Sequence, residues 1–275
     1  MNYCDISFFY NNIRRKGCLY MKYVLITGGT SGIGFELAKN FARDDYGVVI
    51  VSGSSEKLKK AKAKLENQFK TTVFIYQQDL GYIGAAIQLY SRIKEDNLNI
   101  SILVNNAGIG LVGSTDKIDL QQDERLMILN TINLVELCKL YISDMYRQGN
   151  GKILNVSSIG AFQPGPYTST YFASKAFVLS YSRAIRYEAK EKGIQVCTLC
   201  PGATKTNFFV REGTKIPRNA MTAEEVAGYA YRRFMKNKEI IVPGFANRIK
   251  NWIPVKLRMM FVAKLKKDMK QQNIN

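Results

Sequence analysis

The sequence predicts one α/β domain in which a doubly wound parallel sheet of seven strands lies between helices on both faces. After the first 20 residues, short runs rich in β-branched residues alternate with helical patterns, which is typical of strands joined by crossover helices. The chain has 275 residues, of which 46% are hydrophobic, enough for one sizeable core, and no linker divides it. We therefore expect a three-layer α/β/α arrangement over residues 21–275.

The alternation of apolar runs and helical periodicity gives the individual elements in order. The predicted strands are 23–27, 47–52, 72–77, 100–104, 151–156, 194–199 and 239–242. The predicted helices are 32–43, 55–68, 82–96, 121–148, 168–192, 223–236 and 248–270.

Residues 1–20 do not follow this alternation. Purine-only codons can encode the run from Arg14 to Gly17, which lies just before Met21. We therefore expect Met21 to be the native start and residues 1–20 to be a translated ribosome-binding region. A targeting peptide is the alternative, although its apolar region and cleavage site are missing.

Composition excludes several kinds of chemistry. The chain contains no histidine, which rules out a Ser-His-Asp triad and histidine-ligated zinc or iron, and we expect no metal. Five scattered cysteines, an odd number without a secretion signal, indicate a reducing, cytoplasmic setting. Cys197 and Cys200 form a CxxC pattern, but in a strand they point to opposite faces, so core packing is expected.

The stretch Leu25–Gly34, LITGGTSGIG, joins the first strand to the first helix. Gly28 permits a tight turn, and Gly32 and Gly34 let the backbone approach an anion at the positive end of the helix dipole. This turn predicts binding of a dinucleotide pyrophosphate, as in Rossmann-type folds. The predicted contacts in the turn are Gly28, Thr30, Ser31, Gly32, Ile33 and Gly34.

Further motifs follow in a fixed order. Asn105–Gly108 reads NNAG after the fourth strand, and Asn130 lies on the next long helix. The fifth strand ends in Ser157 and Ser158, a YxxxK pattern follows, and PGATKT comes after the sixth strand. With TGxxxGIG, this set resembles the short-chain dehydrogenase/reductase family from about Met21 to Pro243.

The resemblance implies an NAD(P)-dependent oxidoreductase that interconverts a carbonyl and a secondary alcohol by hydride transfer. It assigns Tyr171 as the acid/base, Lys175 as a group that binds the ribose, and Asn130 as the anchor of a proton-relay water. The family separates its catalytic Ser and Tyr by thirteen positions, which selects Ser158 as the residue that orients the carbonyl.

Tyr171 and Lys175 are four residues apart, so on a helix they share one face. A free tyrosine has a pKa near 10, too high for acid-base work at neutral pH. A nearby ammonium favours the phenolate, so we expect Lys175 to lower the pKa of Tyr171.

The remaining cofactor contacts come from strand ends. No acidic residue occupies the end of the second strand, where Ser52 and Ser54 are followed by Lys57. Hydroxyls and positive charge suit a 2′-phosphate, so NADP(H) is favoured, with NAD(H) as the alternative because Ser31 replaces the usual basic marker. The other predicted contacts are Asp79, Leu80, Asn106, Ala107, Gly108, Tyr171, Lys175, Pro201, Gly202, Thr204 and Thr206.

The segments beyond the strand ends are rich in apolar residues and predict a pocket for a small apolar carbonyl or alcohol, or an acyl thioester. Residues 202–222 are expected to act as a mobile lid. The aromatic and aliphatic residues expected around the substrate are Leu111, Phe162, Tyr167, Phe208, Phe209 and Phe245.

The predicted last helix, 248–270, is basic and amphipathic, with apolar residues every four positions. We expect this stripe to pack on the domain or on a partner subunit; a membrane surface or an anionic acyl carrier is the alternative. The long helices 121–148 and 168–192 are expected to form a homodimer or homotetramer. The net charge of +18 comes without a nucleic-acid-binding module, so no nucleic acid is expected. The alternative function is a non-catalytic NADP(H)-binding redox sensor.

Overall fold

The computed structural model describes residues 21–250 and 253–271, so the predicted N-terminal extension, residues 1–20, lies outside the described residues. Short apolar runs form the strands, and each bound of the seven predicted strands agrees with the structure or differs from it by one residue. The strands are β1 (Tyr23–Thr27), β2 (Gly47–Ser52), β3 (Val73–Gln77), β4 (Ile100–Asn105), β5 (Lys152–Val156), β6 (Gln195–Leu199), β7 (Thr204–Lys205), β8 (Met221–Thr222) and β9 (Ile240–Ile241).

Seven of these strands form one parallel sheet in the order β3-β2-β1-β4-β5-β6-β9. The order reverses direction between β1 and β4, which is the switch point where ligands bind in doubly wound sheets. The predicted seven-stranded, doubly wound sheet is therefore confirmed. The carboxyl ends of β1, β4 and β5 meet at this point.

Helices cover both faces of the sheet. They are α1 (Gly32–Arg43), α2 (Ser55–Gln68), α3 (Ala85–Glu95), α4 (Leu120–Met127), α5 (Asn133–Gln148), α6 (Ser169–Lys190), α7 (Asn207–Arg211), α8 (Ala223–Met235), α9 (Phe245–Lys250) and α10 (Val255–Gln271). Apolar residues of α1, α2 and α8 form the core on one face, and those of α3, α5 and α6 form the core on the other. Cys197 and Cys200 are buried free thiols in the sheet region.

The predicted helix 121–148 is not continuous. A π-helical turn, Ile128–Ile132, separates α4 from α5. Such wide turns are rare and occur often at functional sites, and this one contains Asn130. The predicted helix 248–270 is also divided, because Pro254 lacks an amide hydrogen and lies just before α10.

The predicted lid, 202–222, carries structure of its own. Its two ends pair as the parallel strands β7 and β8, with Thr204 opposite Met221, and α7 lies between them. The segment is therefore tied at its base.

One helical run among the described residues, Leu120–Gln148, is long and apolar enough by composition to cross a membrane. Its apolar side chains already have partners, since Leu137, Cys138 and Tyr141 lie in the core under the sheet. Core helices of soluble proteins meet the same criterion, so this run is weak support for a membrane span.

Candidate active site

The turn between β1 and α1 is shaped by glycine. Gly28 and Gly32 have φ values of +65° and +56°, which side chains other than glycine rarely adopt. A Cβ on Gly34 would collide with the Asn106 side chain and lie 2.6 Å from the Gly28 carbonyl oxygen. The turn therefore requires glycine at these three positions. It leaves backbone N–H groups at the start of α1 for an anion.

The NNAG segment after β4 fastens this turn. The Asn106 amide nitrogen donates to the carbonyl oxygens of Thr27 at 3.0 Å and Gly28 at 3.1 Å. In the other direction, the Thr27 hydroxyl accepts from the backbone N–H groups of Asn106 and Ala107, both at 3.0 Å. Four hydrogen bonds thus lock two distant loops together at the switch point.

The end of β2 offers hydroxyl and cationic groups. Ser54 caps α2, accepting from the Lys57 backbone N–H at 3.4 Å, and Ser52 accepts from the Ser54 N–H at 3.4 Å. Ser52, Gly53, Ser54 and Lys57 all line the cavity described below. This arrangement brings a helix N-terminus and a lysine to one edge of the site. The carboxylate in the first turn of α2, Glu56, pairs with Lys60 and does not line the cavity.

Asp79, predicted to contact adenine, forms an ion pair with Arg125, at 2.6 Å between the carboxylate and Nη2. It also accepts from the Gly81 backbone N–H at 2.9 Å. Arg125, on α4, lies over the Tyr82 ring and itself lines the cavity. Sequence reasoning did not identify Arg125, since nothing in the local sequence links α4 to the end of β3.

The serines after β5 point in different directions. Ser157 is buried and donates to the Lys175 carbonyl oxygen at 2.7 Å, so it anchors α6. Ser158 lines the cavity beside the Tyr171 phenol and lowers its pKa. The structure therefore brings Ser158, and not Ser157, to the phenol.

Lys175 lies one turn beyond Tyr171 on α6. Its Nζ donates to the Val156 carbonyl oxygen at 3.0 Å and lies 5.8 Å from the centroid of the Tyr171 ring. The Gly108 backbone passes beside it, because a Cβ there would lie 3.2 Å from Lys175 Nζ and 3.1 Å from Asn130 Oδ1. Any side chain at this position would crowd Asn130 and Lys175, and one of them would have to shift by a few tenths of an ångström.

The π-helical turn positions Asn130. Its side chain accepts from the Ile109 N–H at 3.1 Å and donates to the Ile109 carbonyl oxygen at 3.0 Å. It also donates to the Ser174 hydroxyl at 3.1 Å. Asn130 is buried behind the cavity, where it holds the loop after NNAG against α6.

The pKa values of the central pair are shifted chiefly by burial. Burial raises the pKa of Tyr171, the Glu212 carboxylate raises it further, and the Ser158 side chain lowers it. Burial also lowers the pKa of Lys175 to about 8. Lys175 is not among the groups that shift the pKa of Tyr171 in this structure, so its expected lowering of that pKa stays a prediction.

The segment after β6 returns to the glycine turn. The Pro201 carbonyl oxygen accepts from the Ile159 N–H at 3.0 Å, and the Thr204 hydroxyl donates to the Gly202 carbonyl oxygen at 2.9 Å. Thr206 caps α7 and sets its methyl group against Gly32. The base of the lid therefore lies directly over the start of α1.

All of these groups surround one cavity of about 1360 Å³. Most predicted cofactor contacts line it; the exceptions are Thr30, Gly32 and Gly34, and the predicted catalytic Asn130 also lies outside the lining. The residues that line it from the lid and C-terminal region include Phe208, Phe209, Glu212, Ile216, Leu257 and Phe261.

The substrate side was predicted less well than the cofactor side. Of the six apolar residues expected there, Phe208 and Phe209 line the cavity, whereas Leu111, Phe162, Tyr167 and Phe245 do not. Sequence reasoning missed Glu212, whose only signal is that it is an acid within a basic lid. Among the described residues, no group of three or more cysteine or carboxylate side chains could hold a metal ion.

Comparison with known proteins identifies the family. The short chain dehydrogenase profile matches residues 22–216. The very-long-chain 3-oxoacyl-CoA reductase of Anas platyrhynchos is 34% identical over 65% of this chain and 58% of its own length. The chain spans less than two thirds of the length of such curated relatives.

Two solved structures share nearly the whole fold. A short-chain dehydrogenase from Sphingobium yanoikuyae in complex with NADPH is 31% identical, with a TM-score of 0.79 over 87% of this chain and 95% of that one. The bulky-bulky ketone specific alcohol dehydrogenase from Comamonas testosteroni is 30% identical, with a TM-score of 0.75 over 88% and 94%. This chain therefore belongs to the short-chain dehydrogenase/reductase family of NAD(P)-dependent oxidoreductases.

Proposed function

We propose that this chain is an NADP(H)-dependent reductase that interconverts an apolar ketone and its secondary alcohol. The observation that carries the proposal is the cluster of Ser158, Tyr171 and Lys175 in a cavity that continues to the glycine turn. A binding protein without catalysis has no need of a phenol, a serine hydroxyl and a lysine grouped in this way.

The residues at the switch point fit a dinucleotide. Gly28 and Gly34 leave a cradle that a Cβ would fill, and the N-terminus of α1 faces it. Ser52, Ser54 and Lys57 would hold a 2′-phosphate through hydroxyls and positive charge, which favours NADP(H) over NAD(H). The nicotinamide supplies the hydride, and the protein supplies position and a proton.

The chain's own residues account for the proton. Ser158 and Tyr171 both line the cavity, and a carbonyl oxygen placed between their hydroxyl groups would accept a hydrogen bond from each. The raised pKa of Tyr171 keeps the phenol protonated at neutral pH, ready to donate as negative charge develops on that oxygen. Lys175 would bind the ribose hydroxyls, and Asn130 holds the loop after NNAG in place.

The relatives support an apolar substrate of some size. One is named for very-long-chain 3-oxoacyl-CoA and another for bulky ketones. The lid brings Phe208 within 5.5 Å of the Tyr171 ring, between centroids, so the wall next to the phenol is aromatic.

The test is consumption of NADPH or NADH by the purified full chain with a panel of ketones. Wild type should oxidise NADPH faster than NADH, and Tyr171→Phe should lower kcat by about 10³-fold while still binding NADPH. Tyr187→Phe is the matched control, since Tyr187 lies on the same helix, is 81% exposed and should leave turnover unchanged.

The outcomes separate the alternatives. A strong preference for NADH would contradict the cofactor assignment and leave the reductase assignment intact. Tight NADPH binding with no turnover across the panel would favour a redox sensor. Equal turnover by wild type and Tyr171→Phe would contradict the role of the Tyr171 phenol as proton donor.

A further inference from the structure

The C-terminal helix α10 has two sides that differ in exposure. Its better-packed side includes Arg258, Met259, Val262 and Lys266, which are only partly exposed. Beside it runs a stripe in which each residue is four positions from the next, and whose members remain 40–65% exposed: Leu257, Phe261 and Leu265.

This stripe belongs to the wall of the cavity that holds Tyr171. Leu257, Phe261 and Leu265 all line that cavity, as do Ile253 and Val262. Residues on the outer side of the same helix, such as Lys256 and Met260, do not. The exposed apolar area of α10 therefore lies along the space that is continuous with the phenol.

An ion pair holds the helix against the lid. Lys266 Nζ lies 3.4 Å from Glu212 Oε2, and both side chains are largely shielded, with 12% and 2% exposed. Glu212 also lies against Gly110, where a Cβ would collide with its carboxylate, and its charge raises the pKa of Tyr171. One carboxylate thus joins the lid, the loop after NNAG and α10 near the phenol.

We propose that α10 is the distal wall of the substrate site and selects ketones that carry an elongated apolar chain, with the Glu212–Lys266 ion pair as its latch. This inference rests on the proposed function. Three residues spaced by four span about 12 Å along a helix, so a short ketone bound at Tyr171 does not cover the stripe. A long chain does, and it gains affinity by covering apolar surface that is otherwise exposed to water.

The test compares 2-undecanone with 2-pentanone in three proteins. In the wall variant, Leu257→Ser/Phe261→Ser, kcat/KM for 2-undecanone should fall about 10- to 100-fold, mostly through KM, with little change for 2-pentanone. The matched control is Val255→Ser/Met260→Ser, which alters two similarly exposed residues of the same helix outside the cavity lining and should change neither value.

Lys266→Gln tests the latch. Loss of the ion pair should raise KM several-fold more for 2-undecanone than for 2-pentanone. A fall in kcat for both ketones would instead mean that the ion pair supports the whole site, which contradicts a role restricted to the distal wall.

Calorimetric titration of 2-undecanone into each protein in the presence of NADPH provides a readout that does not need turnover. Weaker binding by the wall variant and unchanged binding by the control support the inference, even if no ketone is reduced and the proposed function fails. Equal affinity in all three proteins, with ketone reduction intact, overturns the inference and leaves the proposed function standing.

Discussion

The two ends of the cavity are held together by different kinds of contact. At the cofactor end, the β1–α1 turn is held by backbone groups and by Asn106, and it lies against strands that are fully buried. At the substrate end, short elements of the lid and α10 meet through side chains, chiefly Phe208, Glu212 and Lys266. The first end is part of the core, whereas the second is attached to it.

This difference separates stability from specificity. A change in the cofactor end disturbs the closely packed core, which cannot relax without cost. A change in the apolar stripe of α10 alters side chains that are already open to water. We therefore expect substitutions at the cofactor end to lower the free energy of unfolding and those at the substrate end to alter kinetics alone.

The largest expected effect on stability is at Gly34. Gly34→Ala places a methyl group against Asn106 and within 2.6 Å of the Gly28 carbonyl oxygen, so the turn must shift. We expect a loss of about 2 kcal/mol in the free energy of unfolding and a rise of about 10-fold or more in the Kd for NADPH. Urea unfolding and NADPH fluorescence titration measure the two effects.

The matched control is the same substitution on another helix. Gly228 lies within α8 with ordinary backbone angles, and its nearest group is an Arg232 nitrogen at 3.5 Å. Gly228→Ala should therefore stabilise the protein by about 0.5–1 kcal/mol. If both variants lost stability equally, the close contacts in the β1–α1 turn would not be the cause of the destabilisation by Gly34→Ala.

The same contrast explains how much of the structure could be predicted from sequence. The β1–α1 turn, the seven strands of the sheet and the YxxxK helix depend on local patterns, and the structure has them at or within a few residues of the predicted positions. The pairs Asp79–Arg125 and Glu212–Lys266 join residues 46 and 54 positions apart, and no local pattern identifies such partners. The sequence also predicts the amphipathic stripe of α10. Which part of the molecule the stripe faces depends on how the helix packs, and local sequence does not give that.

Asn130 shows a second limit of prediction from the sequence. Its identity could be predicted from the family pattern, but the π-helical turn that carries it could not, because its residues suit an ordinary helix. The turn forms because Asn130 bonds both polar groups of Ile109 and the Ser174 hydroxyl. Long-range hydrogen bonds here prevail over local helix preference.

Lys175 lies between the cofactor end and the substrate end of the cavity. Its substitution should have an intermediate effect on stability, and it should raise stability where Gly34→Ala lowers it. Its folded-state pKa, about 8, lies below its ordinary value of 10.5, so the charged form is disfavoured by folding. Between these values the unfolded chain binds more protons, so this group makes stability rise with pH, and at lower pH it costs stability. Lys175→Met removes that cost.

We expect Lys175→Met to raise Tm by about 2–6 °C at pH 7 while nearly abolishing turnover. The gain should shrink as the pH rises from 8 towards 10.5, because the wild-type lysine then becomes neutral in the folded state. Calorimetric scans at three pH values measure this trend. A lower Tm at pH 7 would mean that the hydrogen bond to Val156 outweighs the burial of charge.

The smallest expected effect on stability is at Glu212, within the substrate end. The ionised carboxylate raises the pKa of Tyr171, so the neutral Glu212→Gln should lower that pKa. For ketone reduction the phenol must be protonated, and the loss of activity at alkaline pH should therefore begin at lower pH in the variant, by a few tenths of a unit to about one unit.

At acidic pH the two proteins should converge, because burial raises the pKa of Glu212 and the wild-type side chain then becomes neutral as well. Glu95→Gln is the control, since Glu95 is an exposed residue at the C-terminal end of α3 and lies outside the cavity lining. Tm should change little in either variant. A substantial loss of Tm in Glu212→Gln alone would place this carboxylate with the core, and the division between a stabilising cofactor end and a selective substrate end would then fail at the residue that joins the lid to α10.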